Sequence, residues 1–248
     1  MTNFGFWKKI KKPIISLAPM LDVTDSAFRQ IILKKGRPDV FFTWFVSADG
    51  LASEKGRTRL IKDLYFNQKE RPIVAQIFGS KPENFYIATK IIKDLKFDGL
   101  DINMGCPDRK VLKQNSGASL IDNFSLSKKI IEATLSASGK MPVSIKTRLG
   151  NKTDVSLKWA KFLAKTGVSV ITIHGRLAKD QSKYPADWQK ISAFAKAVKS
   201  INPKILVFGN GDIKDIEEVK IKTKQYNLDG IMIGRAIFGN PWFFNKKI

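Results

Sequence analysis

The sole cysteine of the chain, Cys106, stands in "DINMGCP", between a glycine and a proline at the end of an apolar run. A thiol with an ordinary pKa of about 8.5 is mostly protonated at neutral pH, so one held on a constrained loop over a ligand can deliver a proton. The alternative is a small buried filler, because free cysteine also packs as a hydrophobe. Asn103 precedes it in the same motif and would share its surroundings. A second cluster lies in "VSIKTRLG", where Lys146 and Arg148 are two residues apart. On a strand both would project from one face, with Ile145 and Thr147 on the other. Two cations brought together out of water need a counter-charge. Either an anionic ligand supplies it, or Asp101 or Asp212 does so as structural salt bridges.

The segments "FGNGD" and "IGRA" add a third kind of chemistry. Glycines let backbone amides come close to a phosphate, and the guanidinium of Arg235 offers a fork of donors. Gly209, Gly211 and Gly234 making tight turns is the plainer reading of either segment alone; together they imply a phosphorylated cofactor. His174, the only histidine, sits in "TIHGR". With no second histidine and no further cysteine a zinc site is not expected, and no metal is assigned. Gln76 in "AQIFG" both donates and accepts, which suits the edge of a heterocycle or simple amide packing.

These residues share a position. Short β-branched or aromatic runs recur along the chain, each ending in Gly, Asn, Asp or Pro and each followed by helical spacing. They are "PIISLAPM", "DVFFTWFV", "PIVAQIFG", "DGLDINMG", "PVSIKTRLG", "SVITIHG", "KILVFGNGD" and "DGIMIGRA". Amphipathic stretches such as "PENFYIATKIIKDLKF" and "DVSLKWAKFLAKTG" lie between them, with Asp154 as a cap and Gly167 as a helix stop in the second. Eight strand-helix units in 248 residues fit an α/β fold of the closed (β/α)8 TIM-barrel type better than an open doubly wound sheet. In such a barrel chemistry gathers at the carboxyl ends of the strands, and Met20, Gln76, Asn103, Lys146, Arg148, His174, Asn210, Asp212 and Arg235 all fall at or just past those ends. After the eighth run, "IFGNPWFFNKKI" is too short for a full outer helix, so the eighth helix is expected to be short or missing.

Composition narrows the setting. A single cysteine cannot form an internal disulfide, which points to a reducing, cytoplasmic location. The basic then apolar start is broken by Pro13 and Pro19 and reads as a first strand, and no run is long enough to span a bilayer. Lys and Arg number 44 against 22 acidic residues, a formal charge of +22, which suits a polyanionic partner such as RNA. A lysine-rich solvated surface would give the same count.

Together, "APMLDVTDSAFR", "DINMGCP" with the following "GASL", "IKTRLG", "TIHGR", "GNGDI" and "MIGRAIFGNPW" resemble the tRNA-dihydrouridine synthase family, over about residues 13 to 244. The resemblance implies an FMN-binding catalytic barrel over 1–248, with the family's C-terminal tRNA-binding helical domain absent from this chain. It implies NADPH as reductant and tRNA as substrate, with no membrane partner. Pro19, Met20 and Leu21 would line the isoalloxazine, Gln76 would bond its pyrimidine edge, and Lys146 would sit by the part of the ring that becomes anionic on reduction. His174, Asn210, Gly211, Asp212, Gly234 and Arg235 would hold ribityl and phosphate. Cys106 would be the proton donor, while Asn103 and Arg148 would seat the uracil. Trp44 stands where many relatives carry an acid, so a hydrogen bond at the second strand is expected to be missing. Two other readings are an FMN barrel acting on a free pyrimidine, like dihydroorotate dehydrogenase, and a remnant that binds flavin or RNA without catalysis.

Overall fold

The structure, a computed structural model, describes residues 2–245; Met1 and the last three residues of the expected 1–248 domain lie outside the described residues. All eight expected strands form: β1 Ile14–Leu17, β2 Phe41–Ser47, β3 Ile73–Phe78, β4 Gly99–Met104, β5 Val143–Gly150, β6 Val170–Leu177, β7 Leu206–Asn210 and β8 Gly230–Ile233. They pair in parallel in the order β1-β8-β7-β6-β5-β4-β3-β2. A bridge from Ser16 to Val40, with Leu17 N donating to Val40 O at 3.1 Å, joins β1 to β2 and closes the ring. This is the (β/α)8 barrel that the alternating pattern predicts.

Parallel strands buried on both faces need apolar side chains of both parities. One parity faces outward: Leu17, Phe41, Ile77, Ile102, Ile145, Ile173, Val207 and Ile231 are buried and join the layer between barrel and helices. The other parity faces the axis, and Ile14, Phe42, Val74, Val170 and Phe208 form a second cluster. That inner cluster is completed by Trp7, on the 3-10 helix Gly5–Lys9, which is 2% exposed and lies edge-on to Phe208 with ring centroids 5.6 Å apart. The amino end of the barrel is therefore stoppered by an indole.

The outer helices start where acidic or amide side chains can cap them. Asp25, Asn123, Asp187 and Asp215 each accept a backbone N–H in the first turn of Ser26–Lys35, Phe124–Ser138, Trp188–Ile201 and Ile216–Gln225. The expected cap of Ser156–Leu163 is displaced by one residue: Val155 occupies the cap position, and Asp154 still accepts from Ser156 N at 2.9 Å. Gly167, expected as that helix's stop, adopts φ +89° only after a turn beyond Leu163. A buried ion pair, Arg29 Nε to Glu70 Oε2 at 2.6 Å, clamps the first helix to the segment before β3, with Arg29 also donating to the carbonyls of Thr24 and Tyr65. Following β8, the described residues hold a 3-10 turn, Arg235–Ile237, and no α-helix. Among the described residues no helix is long and apolar enough to cross a membrane.

β2 departs from the simple alternation. It carries one extra residue between Phe42 and Phe45, a bulge. The hydroxyl of Thr43 takes the Gln76 N–H at 3.2 Å, Phe45 turns to the mouth, and Trp44 packs on the outer core.

Candidate active site

At the carboxyl ends of the strands opens a cavity of about 730 Å³. Every residue to which the family resemblance gives a part in cofactor binding, catalysis or substrate binding lines it. The walls include Pro19, Met20 and Leu21 after β1, and Gln76, Asn103 and Cys106 from β3, β4 and the loop after it. Lys146 and Arg148 come from β5, and His174 from β6. Asn210, Gly211 and Asp212 follow from β7, and Gly234 and Arg235 from β8. Strand register explains the convergence. Asn103 pairs with Lys146, Arg148 with His174, and His174 with Asn210, so neighbouring strands lift their inward side chains to one level.

The loop bearing Cys106 is fixed by its own motif. Asn103 Oδ1 accepts from Gly105 N at 3.1 Å and from Cys106 N at 3.0 Å. Cys106 O accepts from Ala118 N at 3.1 Å. That approach needs Gly117, which has φ +61° and where a Cβ would stand 2.8 Å from Cys106 O. Asp108 begins the turn Arg109–Leu112 by accepting from Lys110 N at 2.8 Å. Burial pushes the Cys106 thiol above its ordinary range, more than nearby Arg148 and Lys146 pull it down. At neutral pH it is a thiol.

The β5 cations are not salt-bridged to either aspartate considered from the sequence. Lys146 Nζ donates to Asn210 Oδ1 at 3.1 Å. Arg148 donates from Nε to Gly105 O at 2.8 Å and from Nη1 to Leu177 O and Gln181 O at 3.2 and 3.3 Å, lashing the cysteine loop to the segment after β6. Burial, with Arg148 beside it, lowers Lys146 to about 8. Asp101 instead accepts from Gln76 and Ser144. Asp212 is engaged by Arg176 and, at 3.0 Å, by Arg235, and it also accepts from Ala186 N at 2.8 Å. It reaches both arginines from a left-handed backbone, φ +46°, after Gly211 at φ +125°. Those contacts hold its carboxyl below the usual range despite its burial.

Arg176 is the residue that the sequence reading passed over. It lines the cavity with 4% of its side chain exposed, between Asp212 and His174 Nε2, the latter 3.0 Å away. It lies two residues after His174 on one strand, so the spacing that pairs Lys146 with Arg148 also marks it. With its Nε2 facing a guanidinium, His174 must accept there and carry its proton on Nδ1. Burial first, and then four surrounding cations, push this imidazole well below its ordinary pKa, so it is neutral. Among the described residues no group of three or more His, Cys, Asp or Glu side chains could hold a metal.

One thiol, one neutral imidazole and a surplus of cations around a single mouth define a (β/α)8-barrel enzyme whose cavity favours anions. Solved structures with the same fold include a variant of NCR from Zymomonas mobilis, TM-score 0.63 at 17% identity over 92% of this chain and 83% of that one. Morphinone reductase gives TM-score 0.63 at 12% identity over 94% and 84%. The family profile described as dihydrouridine synthase matches residues 16–248. A probable tRNA-dihydrouridine synthase 2 of Bacillus subtilis (strain 168) is 41% identical over 245 residues, 98% of this chain and 74% of that protein. A probable tRNA-dihydrouridine synthase of Staphylococcus aureus (strain COL) is 39% identical over 244 residues, with the same coverage. The chain belongs to the dihydrouridine synthase family.

Proposed function

We propose that this protein reduces the C5–C6 bond of uridines in tRNA to dihydrouridine, with FMN bound in the barrel mouth and NADPH as reductant. The observation that carries this reading is the placement of Cys106 at the rim of the cavity that also holds Lys146, Arg148 and Arg235, where burial favours the thiol over the thiolate. FMN suits the residues present. A cavity of about 730 Å³ is within the range of cofactor sites. A Cβ built on Gly234 would have only Met20 Sδ and Ala18 Cβ near it, at 3.8 and 3.9 Å, so that backbone lies open to the cavity. Lys146, Arg148, Arg176, Lys214 and Arg235 outnumber Asp108 and Asp212 around it, which favours a phosphate.

Pro19, Met20 and Leu21 offer the apolar wall for the flavin ring, Gln76 its polar edge, and Lys146 a positive charge. His174, Asn210, Gly211, Gly234 and Arg235 hold ribityl and phosphate, with Asp212 acting through the two arginines it orients. When bound, FMN supplies the hydride for C6 of uracil. Asn103 and Arg148 seat the uracil after the uridine leaves its stack, at an unstacking cost of a few kcal/mol. Cys106 gives its proton to C5, so hydride and proton together saturate the bond. Arg148 and Lys146 then stabilise the thiolate left behind. The formal charge of +22 supports a polyanionic substrate.

The test is mass spectrometry of tRNA from a strain without dihydrouridine, supplied with this protein. A mapped uridine gaining two hydrogens is expected. Unchanged tRNA together with turnover of free pyrimidines would replace the substrate assignment.

A further inference from the structure

Below the mouth, one layer deeper in the barrel, lies a carboxylate that makes no contact with the cavity. Asp101 is fully buried on β4, in register with Gln76 on β3 and Ser144 on β5. Its Oδ2 accepts from Gln76 Nε2 at 2.7 Å and its Oδ1 from Ser144 Oγ at 2.6 Å. Gln76 Oε1 in turn accepts from Asn103 Nδ2 at 3.1 Å, and Asn103 Oδ1 accepts from the backbone N–H of Gly105 and Cys106. Three residues on two strands thus form one unbroken path from Asp101 to the loop of the thiol.

The direction of every bond in that path is forced. Backbone N–H groups only donate, so Asn103 must turn its oxygen to Gly105 and Cys106 and its nitrogen to Gln76. Gln76 must then offer its oxygen to Asn103, which leaves its nitrogen facing Asp101. The path can end only on an acceptor. A donor there would set two N–H groups against each other, and the path would be relieved by turning Gln76 over, which would leave Asn103 Nδ2 facing another N–H. Burying an ionisable carboxyl is costly. Burial raises Asp101 to about 6, so at neutral pH it accepts on both oxygens.

We propose that Asp101 is a positioning residue for the proton donor: its acceptor oxygen holds the Gln76–Asn103 amide relay in the one polarity that the Cys106 loop accepts, and through the relay it steadies the backbone of Cys106. The inference rests on the role proposed above for Cys106. What matters is an acceptor at this point, and the negative charge is secondary. An asparagine could serve, with Oδ1 toward Gln76 and Nδ2 toward the Ser144 hydroxyl, which can accept as well as donate.

Cys106 is the only thiol in the chain, so its alkylation by iodoacetamide in the flavin-free protein reads the loop directly. Asp101→Leu removes the acceptor on the same branched skeleton and is expected to accelerate alkylation about tenfold, the order of one lost buried hydrogen bond, while Asp101→Asn stays within about twofold of the parent. In the flavin-loaded protein Asp101→Leu is expected to lower kcat for tRNA about tenfold or more while KM moves less than about twofold. Alkylation unchanged in Asp101→Leu, or raised equally in Asp101→Asn, overturns the proposal. If Asp101→Leu does not fold, Gln76→Leu breaks the next link and is expected to accelerate alkylation likewise; an unchanged rate overturns the proposal. The alkylation readout needs no substrate. A relay that fails while tRNA is still reduced, and a relay that holds in a protein inert toward tRNA, are therefore separate results.

Discussion

Lys146 spans a chord of the barrel: its ammonium leaves β5, passes β6 and donates to the side-chain oxygen of Asn210 on β7, 3.1 Å away. Asn210 cannot turn over, because its nitrogen donates to Met232 O at 2.8 Å. The ammonium thus rests on a neutral partner, and burial lowers it to about 8.

That value gives a pH dependence with a defined sign. An anion binds best to the protonated amine, so above about pH 8 binding must take up a proton. FMN affinity for the flavin-free protein is expected to fall up to about tenfold per pH unit there. Titration by fluorescence quenching checks this, and Lys146→Met should abolish the slope. The same depressed pKa means that stability linked to this group is present above its unfolded pKa and is lost as pH falls through about 8.

Cys106→Ala should keep FMN and its reduction by NADPH yet lower dihydrouridine formation by roughly 100- to 10,000-fold, the span of a general acid. The side chain is only partly buried, so thermal stability should change little. Digested tRNA analysed by mass, beside flavin absorbance, separates the two effects. Equal loss of both would assign the thiol a structural part.

The single histidine gives one imidazole signal in proton NMR, and that signal should not titrate between about pH 6 and 8. In Arg176→Gln a cation and the donor to Nε2 are gone, so the pKa should move upward. A signal that titrates at its ordinary position in the parent would contradict the neutral imidazole.

Glu70→Gln should destabilise the fold by about 3–5 kcal/mol, because it leaves the guanidinium of Arg29 buried without its counter-charge. Chemical denaturation measures this. The pair lies outside the cavity lining, so FMN affinity of the folded fraction should be unaltered.

The barrel was legible because each strand announces itself as an apolar run closed by a turn residue, and the site because chemistry-bearing residues stand where those runs end. Period-two alternation was enough to put Lys146 and Arg148 in one place. Carried one strand further, it would have found Arg176 behind His174. Alternation misleads at β2, where it sets Trp44 on the same face as Phe42; the bulge puts Phe45 in the mouth instead, a backbone irregularity with no side-chain signature. Asp101 was visible only as a counter-ion for Lys146. Its partners Gln76 and Ser144 are 25 and 43 residues away, and only strand register brings them together.

The indole of Trp7 has a kinetic corollary. The barrel axis beneath the site is filled by this ring with Phe42, Val74 and Phe208, so on the function proposed above an electron donor and a nucleotide would both use the one mouth, each waiting for the other to clear it. Steady-state turnover should then show two alternating half-cycles, with an excess of either visitor inhibiting the other.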